Sequence, residues 1–331
     1  MAQEMHIAGL SAPAGRAVRH RIEVAELADG SQISLPLLLI NGASDGPRLY
    51  LGAAIHGDEV GGVAILSQLC AQVQPARLAG SILCVLVQNP LAFQVEHRIP
   101  VGLYLKSPLD QMPIDPWVSF PGNAEGNVTE RLAATLFSLI TTCHYAIDIH
   151  TPTRGGRYVP ITILPHPSLG EAFRRAEDLA LAFGSGYLMK TQTGMYVADG
   201  ILCVEATRAG VPAFTFEIGE GGRLEPALIP IGVRCLSNAL RFLGMLPGAL
   251  EPPPETVVMT QFVGLRASKG GLLYTAAGLG ARVKREDVLA RVYSVYGDER
   301  EIIRAPLDGT FVRMTTFPSV AAGERVATLG V

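Results

Sequence analysis

"LYLGAAIHGDEVGGVAIL", residues 49–66, joins an apolar run to a stretch with helical spacing through a short polar turn. The apolar run predicts a buried strand, and the residues after the turn predict a helix. His56 and Glu59 lie at the junction between the two. Ligands of open α/β sheets bind beyond the carboxyl ends of the strands, so this junction is a candidate functional site.

The same alternation of apolar runs and helical stretches continues over most of the chain. It predicts an α/β fold with a mixed, mostly parallel sheet flanked by helices. The predicted strands are 34–40, 48–55, 81–87, 145–149, 158–164 and 213–218, and the predicted helices are 62–73, 127–143, 169–184 and 233–246.

A proline-rich stretch, "GALEPPPETVV" at 248–258, is followed by a segment in which short β-like runs alternate with glycines. At 331 residues the chain is long enough for one large domain and one small one. We predict a large α/β domain at 1–251 and a small all-β barrel or sandwich-like domain at 252–331.

Charge and composition argue against several classes of partner. The formal net charge is −3 and no run of Lys or Arg stands out, which argues against nucleic-acid binding. No stretch suits a signal-peptide core or a membrane span, so we predict a cytoplasmic protein without a membrane partner. The five cysteines are widely spaced without a CxxC pair, which predicts reduced core residues and argues against zinc held by thiolates.

The predicted strand ends carry a set of residues suited to metal chemistry. Two histidines and one carboxylate, His56, Glu59 and His150, match a catalytic zinc site that keeps one position open for water. Glu217, at another strand end, is the candidate general base. Asp148 lies two residues before His150 on the same strand face, where it could orient that histidine.

None of these signals is specific alone. A histidine and an acid three residues apart begin many ordinary helices, and a histidine at a strand end is more often a hydrogen-bonded structural residue. Glu217 alone could be a surface acid, although an unpaired acid after an apolar run is costly to bury. The combination, and not any single residue, predicts a metal site.

Together these motifs resemble those of the succinylglutamate desuccinylase/aspartoacylase family, a branch of the zinc-carboxypeptidase fold. The matching pieces are "HGDE" at 56–59, "NPLAFQVEHR" at 89–98, "FPG" at 120–122, "DIHT" at 148–151 and "FEIG" at 216–219.

The resemblance implies one zinc ion per chain, held by His56, Glu59 and His150, with Glu217 as general base and acid. It also implies that Arg98 polarises the substrate carbonyl. A guanidinium aimed at a developing oxyanion stabilises it strongly in a water-poor site, which agrees with that role. From the residue alone, an ordinary surface arginine is the alternative.

One stretch departs from the family pattern. The family usually reads Asp-Leu-Asn-Arg before Phe-Pro-Gly, and its Asn-Arg pair grips a substrate carboxylate. Here "IDPWVSFPG" at 114–122 places Trp117 and Val118 at those positions. We therefore expect a less acidic N-acyl substrate than N-acetylaspartate or succinylglutamate. Arg208 is a candidate for a replacement charge, and Asn89 for positioning its segment or capping a turn.

The C-terminal segment resembles the lipoyl/biotinyl-like β-domain through "APLDGTFVRM" at 305–314 and "VAAGERVATLG" at 320–330. A modified domain of that type needs a lysine at its hairpin tip, and "DGTFVRMTTF" at 308–317 contains none. We predict an unmodified domain that caps the mouth of the pocket or forms an oligomer contact.

The resulting functional prediction is a zinc-dependent deacylase. It would cleave the amide bond of a small N-acyl amino acid or N-acyl amine. An esterase or peptidase acting through the same zinc site is an alternative, because a metal ion activates water without selecting the leaving group. A catalytically inactive zinc-binding protein is another. The predicted partner is a small-molecule substrate, and a homo-oligomer remains compatible with the sequence.

Overall fold

The computed structural model of the protein describes residues 3–100 and 115–331. It confirms the predicted α/β class. The strands described before residue 252 are β1 (Met5–Ile7), β2 (Leu10–Ala12), β3 (Arg16–Glu26), β4 (Gln32–Asn41), β5 (Ser44–Ala53), β6 (Ala79–Val85), β7 (Tyr145–His150), β8 (Gly156–Ile163), β9 (Tyr187–Met189) and β10 (Ala213–Glu220). The strands described after it are β11 (Val257–Met259), β12 (Phe262–Arg266), β13 (Gly271–Thr275), β14 (Arg282–Val283), β15 (Val288–Tyr293), β16 (Glu299–Arg304), β17 (Gly309–Thr315), β18 (Ser319–Val320) and β19 (Arg325–Gly330).

The helices lie between the strands of the first part of the chain, as the alternating pattern predicts. They are α1 (Val60–Gln72), α2 (Pro90–Gln94), α3 (Val128–Ile140), α4 (Gly170–Phe183), α5 (Leu202–Arg208) and α6 (Ile229–Phe242).

Thirteen of the described strands form a mixed sheet whose main path runs β12-β19-β17-β8-β10-β7-β5-β6-β4-β3. Strands β1 and β2 form a two-stranded sheet, and β16, β15, β13 and β18 form a four-stranded one. The central strands of the large sheet, β6, β5, β7 and β10, pair in parallel. Antiparallel pairs, β4 with β6 and β8 with β10, flank this centre. The carboxyl ends of the central strands therefore meet at one edge of the sheet, which is where ligands of such folds bind.

Helices cover both faces of the sheet because its strands are apolar on both faces. Leu49 and Leu51 of β5 pack in one buried cluster together with apolar side chains of α1, α4 and α6. Tyr50, between them, points to the opposite face and packs in a second cluster with side chains of α3 and α5. This alternation along one strand is what a sheet between two helical layers requires.

The segment after residue 252 is all β and has its own buried cluster, which includes Leu289, Phe311 and Leu329. It also joins the main sheet, because β17 pairs with β19 on one side and with β8 on the other. Strands from both sides of the predicted boundary thus share one sheet. The division into domains at 251/252 stays a prediction.

Among the described helices, none combines the length and the apolar character needed to cross a bilayer. All five cysteines are free thiols and four of them are buried, as the sequence predicts.

Candidate active site

The turn between β5 and α1 positions His56 and Glu59 at the carboxyl edge of the sheet. Gly57, inside this turn, lies so close to α2 that a Cβ atom would come within 1.9 Å of the backbone carbon of Ala92. Only glycine fits there, and the close approach holds the turn against α2. Glu59 is the residue immediately before α1, so its carboxylate lies at the helix N-terminus.

Glu59 bridges the two histidines. Its Oε1 lies 2.8 Å from Nδ1 of His56, and its Oε2 lies 2.9 Å from Nδ1 of His150. The backbone N–H of Thr151 donates a further hydrogen bond to Oε2 at 3.2 Å. His56, Glu59 and His150 are each about 1% exposed, and one ligand atom from each lies within 4.8 Å of the others. The three side chains form a candidate metal site.

Each histidine turns its other ring nitrogen towards a second carboxylate. His56 Nε2 lies 3.2 Å from Asp115 Oδ1, and His150 Nε2 lies 2.7 Å from Asp148 Oδ2. A carboxylate oxygen can only accept, so each Nε2 donates to its aspartate. Each Nδ1 faces Glu59 at the centre of the cluster and donates to that carboxylate when the ring is protonated. Histidine ligands of metal ions are held in this way in most metalloproteins.

The carboxylate of Asp148 is itself anchored by a buried chain of hydrogen bonds. Gln88 donates from Nε2 to Asp148 Oδ1 at 2.7 Å, and Tyr50 donates from its hydroxyl to Gln88 Oε1 at 2.8 Å. All three residues are fully buried. The Gln88 amide fills the space where a side chain at Gly52 would stand, since a Cβ there would lie 2.6 Å from it.

The charges around the cluster suit a divalent cation. Burial disfavours the charged forms of His56 and Glu59, yet their mutual attraction prevails: the pKa of His56 is raised and that of Glu59 is lowered to about 2. The pKa of His150 is likewise raised against the effect of burial, by the charges of Asp148 and Glu59. The carboxylates therefore stabilise positive charge at the centre of the cluster. Two imidazoles and one carboxylate are also the ligand types that zinc takes in catalytic sites, so the residues fit such an ion.

Glu217 stands beside this cluster with one carboxylate oxygen free. Strand β10 pairs in parallel with β7, and the register places Glu217 opposite His150. Tyr196 donates its hydroxyl hydrogen to Glu217 Oε1 at 2.7 Å, whereas Oε2 is buried without a hydrogen-bond partner among the described residues. Burial raises the pKa of Glu217, although the positive charge of His150 opposes the shift.

Arg98 is brought to the same place by a pair of hydrogen bonds to Asp115. Its Nε and Nη2 donate to Asp115 Oδ2 at 3.1 and 3.0 Å, and its Nη1 donates to Thr153 Oγ1 at 3.3 Å. Arg98 Nη1 lies 3.8 Å from Glu59 Oε1. A charged guanidinium therefore stands within reach of any group that sits at the candidate metal site.

Trp117 and Val118 occupy the positions where the family's Asn-Arg clamp is expected. The two side chains differ in exposure and in their distance from the cavity. Trp117 is 2% exposed, and its ring lies edge-on to both histidines, at 5.8 Å from His56 and 5.4 Å from His150 between ring centroids. Val118 is 44% exposed and is not among the residues that line the cavity beside the cluster. Neither side chain can supply the guanidinium of the usual Asn-Arg pair.

Two other candidates from the sequence lie away from the cluster. Asn89 is buried at the start of α2, where its side chain accepts a hydrogen bond from the backbone N–H of Ala92 and caps the helix. Arg208, at the end of α5, is about half exposed and pairs with Asp199 and Glu205. Neither residue lines the cavity described next. The structure therefore does not bring Arg208 to the substrate side, because its helix turns it to the surface.

A cavity of about 690 Å³ opens from the cluster. It is lined by the candidate metal ligands, Arg98, Asp115, Trp117 and Glu217, and also by residues on which the sequence analysis did not draw. These further lining residues include Tyr158, Tyr196, Arg313, Arg325 and Thr328. The last three come from the C-terminal strands, which reach the cavity because β17 is paired with β8.

Some of the missed residues left a signal in the sequence. Asp115 stands in the quoted stretch 114–122, and Gln88 is a polar residue directly after an apolar strand, next to Asn89. Arg313 and Thr328 gave none, because their approach to the site depends on pairing between strands that are far apart in the chain. Tyr196 gave none either, and it lies in a short turn at Met195–Val197.

Several known proteins of one family are similar to this chain in sequence. Residues 45–243 match the family model of the succinylglutamate desuccinylase/aspartoacylase catalytic domain. An N-alpha-acetyl-L-2,4-diaminobutyric acid deacetylase from Halomonas elongata is 26% identical over 305 residues, which is 90% of this chain and 85% of that protein. A succinylglutamate desuccinylase from Pseudomonas aeruginosa is 26% identical over 219 residues, 62% of each chain.

Solved structures resemble this one over nearly the whole length. The product-bound ectoine utilization protein from Ruegeria pomeroyi superposes with a TM-score of 0.82 at 25% identity and covers 97% of both chains. A succinylglutamate desuccinylase from Silicibacter sp. TM1040 gives a TM-score of 0.82 at 22% identity, covering 96% of this chain and 94% of its own. With a family model matched over more than half of its length, the chain belongs to the succinylglutamate desuccinylase/aspartoacylase family.

Proposed function

We propose that this protein is a zinc-dependent deacylase that hydrolyses the amide bond of a small N-acyl amino acid or N-acyl amine. One observation carries the proposal: two imidazole Nδ1 atoms and a carboxylate converge at the floor of a cavity that also holds a buried, half-satisfied Glu217. The ligands would be His56, Glu59 and His150. A bound zinc ion would supply a Lewis acid that activates water and polarises the acyl carbonyl.

Glu217 is suited to move the proton in this reaction. Burial raises the pKa of Glu217 above the ordinary value of a glutamate. A carboxylate with a raised pKa holds a proton more readily, so it can both accept a proton and return it. Tyr196 holds Oε1, which leaves Oε2 without a hydrogen-bond partner in a residue that lines the cavity. Glu217 would accept a proton from the attacking water and deliver it to the leaving nitrogen.

Arg98 would stabilise the negative charge that develops on the carbonyl oxygen. Its two hydrogen bonds to Asp115 fix the guanidinium plane before substrate arrives. Pre-set donors of this kind cost no reorganisation during the reaction, which is why they contribute strongly to rate. Asp115 thereby serves two groups at once, since it also holds His56.

The pocket and the relatives support this substrate class. The Halomonas relative is named as a deacetylase of an N-acetylated diamino acid, and it aligns over 90% of this chain. Trp117 and Val118 replace the residues expected to grip the extra carboxylate of N-acetylaspartate or succinylglutamate. N-Acyl diamino acids are therefore the first substrates to test, and the two dicarboxylic compounds are expected to be poor ones.

A substrate panel tests the proposal. Zinc-loaded protein would be assayed with N-acetyl-2,4-diaminobutyrate, N-acetylaspartate, N-succinylglutamate and an ester analogue, with Glu217→Gln as the blank for contaminating hydrolases. We expect the first compound to exceed N-acetylaspartate by about tenfold or more in kcat/KM. Absence of amide hydrolysis across the panel, or equal rates with the Glu217→Gln blank, would refute the assignment.

A further inference from the structure

Several buried polar atoms without a partner belong to the lining of one cavity. Within residues 3–100 and 115–331, the side-chain atoms of this kind include Trp117 Nε1, Glu217 Oε2, Arg313 Nη1 and Thr328 Oγ1. All four residues line the cavity that opens from the candidate metal site. A buried polar group without a hydrogen bond is costly, so this grouping indicates a ligand that completes it.

Three of the lining residues form one row across neighbouring strands. Arg313 of β17 stands opposite Tyr158 of β8 on one side and opposite Thr328 of β19 on the other. Directly paired residues project from the same face of a sheet, so a phenol, a guanidinium and a hydroxyl lie side by side. Tyr158 and Thr328 are buried, at 6% and 2% exposed.

The side chain of Arg313 is held in place without a carboxylate partner. Its guanidinium carbon lies 6.0 Å from the ring centroid of Tyr158. Its Nη2 lies 2.6 Å from the point where a Cβ of residue 156 would stand, so glycine at this position makes the space. The described residues offer Arg313 no ion pair, although Arg98 in the same cavity has one with Asp115.

The pKa of Tyr158 reflects the charges of the residues around the cavity. Burial and the negative charge of Glu217 raise the pKa of Tyr158 to about 12, while the charges of Arg313 and Arg325 oppose this shift. Both arginines therefore lie close enough to Tyr158, which lines the cavity, to lower its pKa. Arg325 differs from Arg313 in that it is exposed and lies over Gly264.

We propose that Arg313, together with the hydroxyl of Thr328, binds a single carboxylate of the N-acyl substrate. This rests on the proposed function and names the part of the substrate that the C-terminal strands recognise. A guanidinium suits a carboxylate in geometry and charge, and a hydroxyl beside it can donate one more hydrogen bond. The subsite takes the place of the clamp that Trp117 and Val118 do not provide, and it accounts for selection of a monocarboxylic substrate.

The experiment compares one substrate with its neutral analogue. Probes would be N-acetyl-2,4-diaminobutyrate and the corresponding carboxamide, assayed with wild type, Arg313→Met, Arg313→Lys and a control, Arg266→Met. Arg266 is an exposed arginine of β12 that does not line the cavity. Wild type is expected to prefer the acid by about 10- to 100-fold in kcat/KM, the range of a charged hydrogen-bonded pair. Arg313→Met is expected to lose this preference through KM, with kcat on the carboxamide and zinc content unchanged. Arg313→Lys is expected to restore part of it.

Two outcomes would overturn the inference. One is an undiminished preference for the acid in Arg313→Met, and the other is loss of the preference in the control Arg266→Met alone. If Arg313→Met does not fold, Thr328→Val takes its place, and an unchanged preference in that variant counts against the subsite.

The inference can fail separately from the proposed function. If wild type hydrolyses neither probe, the proposed deacylase activity fails, and calorimetric binding of the acid tests the subsite directly. Weaker binding to Arg313→Met than to wild type then supports the subsite, whereas equal or absent binding to both proteins contradicts it.

Discussion

Glu217 and His150 stand opposite each other in register on two neighbouring parallel strands, β10 and β7. Their side chains therefore project from the same face of the sheet, which places the candidate base next to a candidate metal ligand. This neighbourhood is fixed by strand pairing at the centre of the sheet. The following predictions start from it.

Replacing Glu217 by glutamine should stop turnover and spare metal binding. The amide keeps the size of the carboxylate and can still accept the hydrogen bond from Tyr196, but it cannot take a proton. Loss of a general base costs typically about 10²- to 10⁴-fold in kcat. Steady-state kinetics with elemental analysis measures both effects. Glu177→Gln, at an ion pair with Lys190, is the control, and a Glu217→Gln rate near that of wild type would disprove the role of Glu217.

Replacing His150 by alanine should abolish tight metal binding. The change removes one of three candidate ligands and leaves Glu59 with only one histidine partner. We expect purified His150→Ala to contain little zinc by elemental analysis, with secondary structure preserved by circular dichroism. The exposed His6 supplies the control variant, His6→Ala. Wild-type zinc content in His150→Ala would show that the metal is held elsewhere.

Gln88→Leu should weaken metal binding although Gln88 is not itself a candidate ligand. The substitution removes the donor that holds Asp148 Oδ1, so Asp148 can no longer fix the ring of His150. Changes to residues that orient a ligand typically cost about 10- to 100-fold in metal affinity. Zinc affinity would be measured by competition with a chromophoric chelator.

Two matched variants sharpen the test of Gln88. Gln72→Leu, on the exposed face of α1, should bind zinc as wild type does. Gly52→Ala should reproduce the effect of Gln88→Leu, because its Cβ would displace the Gln88 amide. Equal zinc affinity in wild type, Gln88→Leu and Gly52→Ala would show that Gln88 does not contribute to metal binding through Asp148.

Metal-stripped protein should lose stability as pH rises above neutral. Despite burial, neighbouring carboxylates raise the pKa of His56 and of His150 above the ordinary 6.5. A histidine whose pKa is raised by folding contributes stability that is complete below its unfolded pKa and is lost as pH rises through its folded pKa. The apparent Tm of the stripped protein should therefore fall as the pH rises above about 6.5.

Zinc should compensate for this loss, because the cation replaces the positive charge that the histidines give up. The increase in Tm on adding zinc is expected to be larger at about pH 8.5 than at about pH 6, where protons compete for the ligands. Differential scanning fluorimetry at both pH values measures it. A stripped protein whose Tm stays constant or increases with pH would contradict the charge balance described for the cluster.

The elements that carry the candidate metal ligands were predictable from local sequence. The apolar runs ending near His56, His150 and Glu217 are strands of one parallel sheet centre, and the carboxyl ends of such strands meet at one edge. Knowing the strands was therefore enough to place these side chains near one another. Because the polar turn after β5 is short, it also keeps Glu59 close to His56.

The rest of the site depends on contacts that the sequence does not specify locally. Gln88 reaches Asp148 because Gly52, on the strand between them, leaves space for its amide. Arg313 reaches the cavity because β17 pairs with β8, more than 150 residues earlier in the chain. Arg208 lies outside the cavity, because the phase of a short helix decides whether its last residue faces the site or the solvent.

Removal and replacement of the metal tests the central claim most directly. Wild-type protein would be stripped with a chelator, titrated with zinc, and assayed for hydrolysis of N-acetyl-2,4-diaminobutyrate at each addition. The account predicts that stripped protein is inactive and that activity returns in proportion to zinc, reaching its maximum at one ion per chain. Full activity in the stripped protein, or activity that does not follow bound zinc, would contradict it.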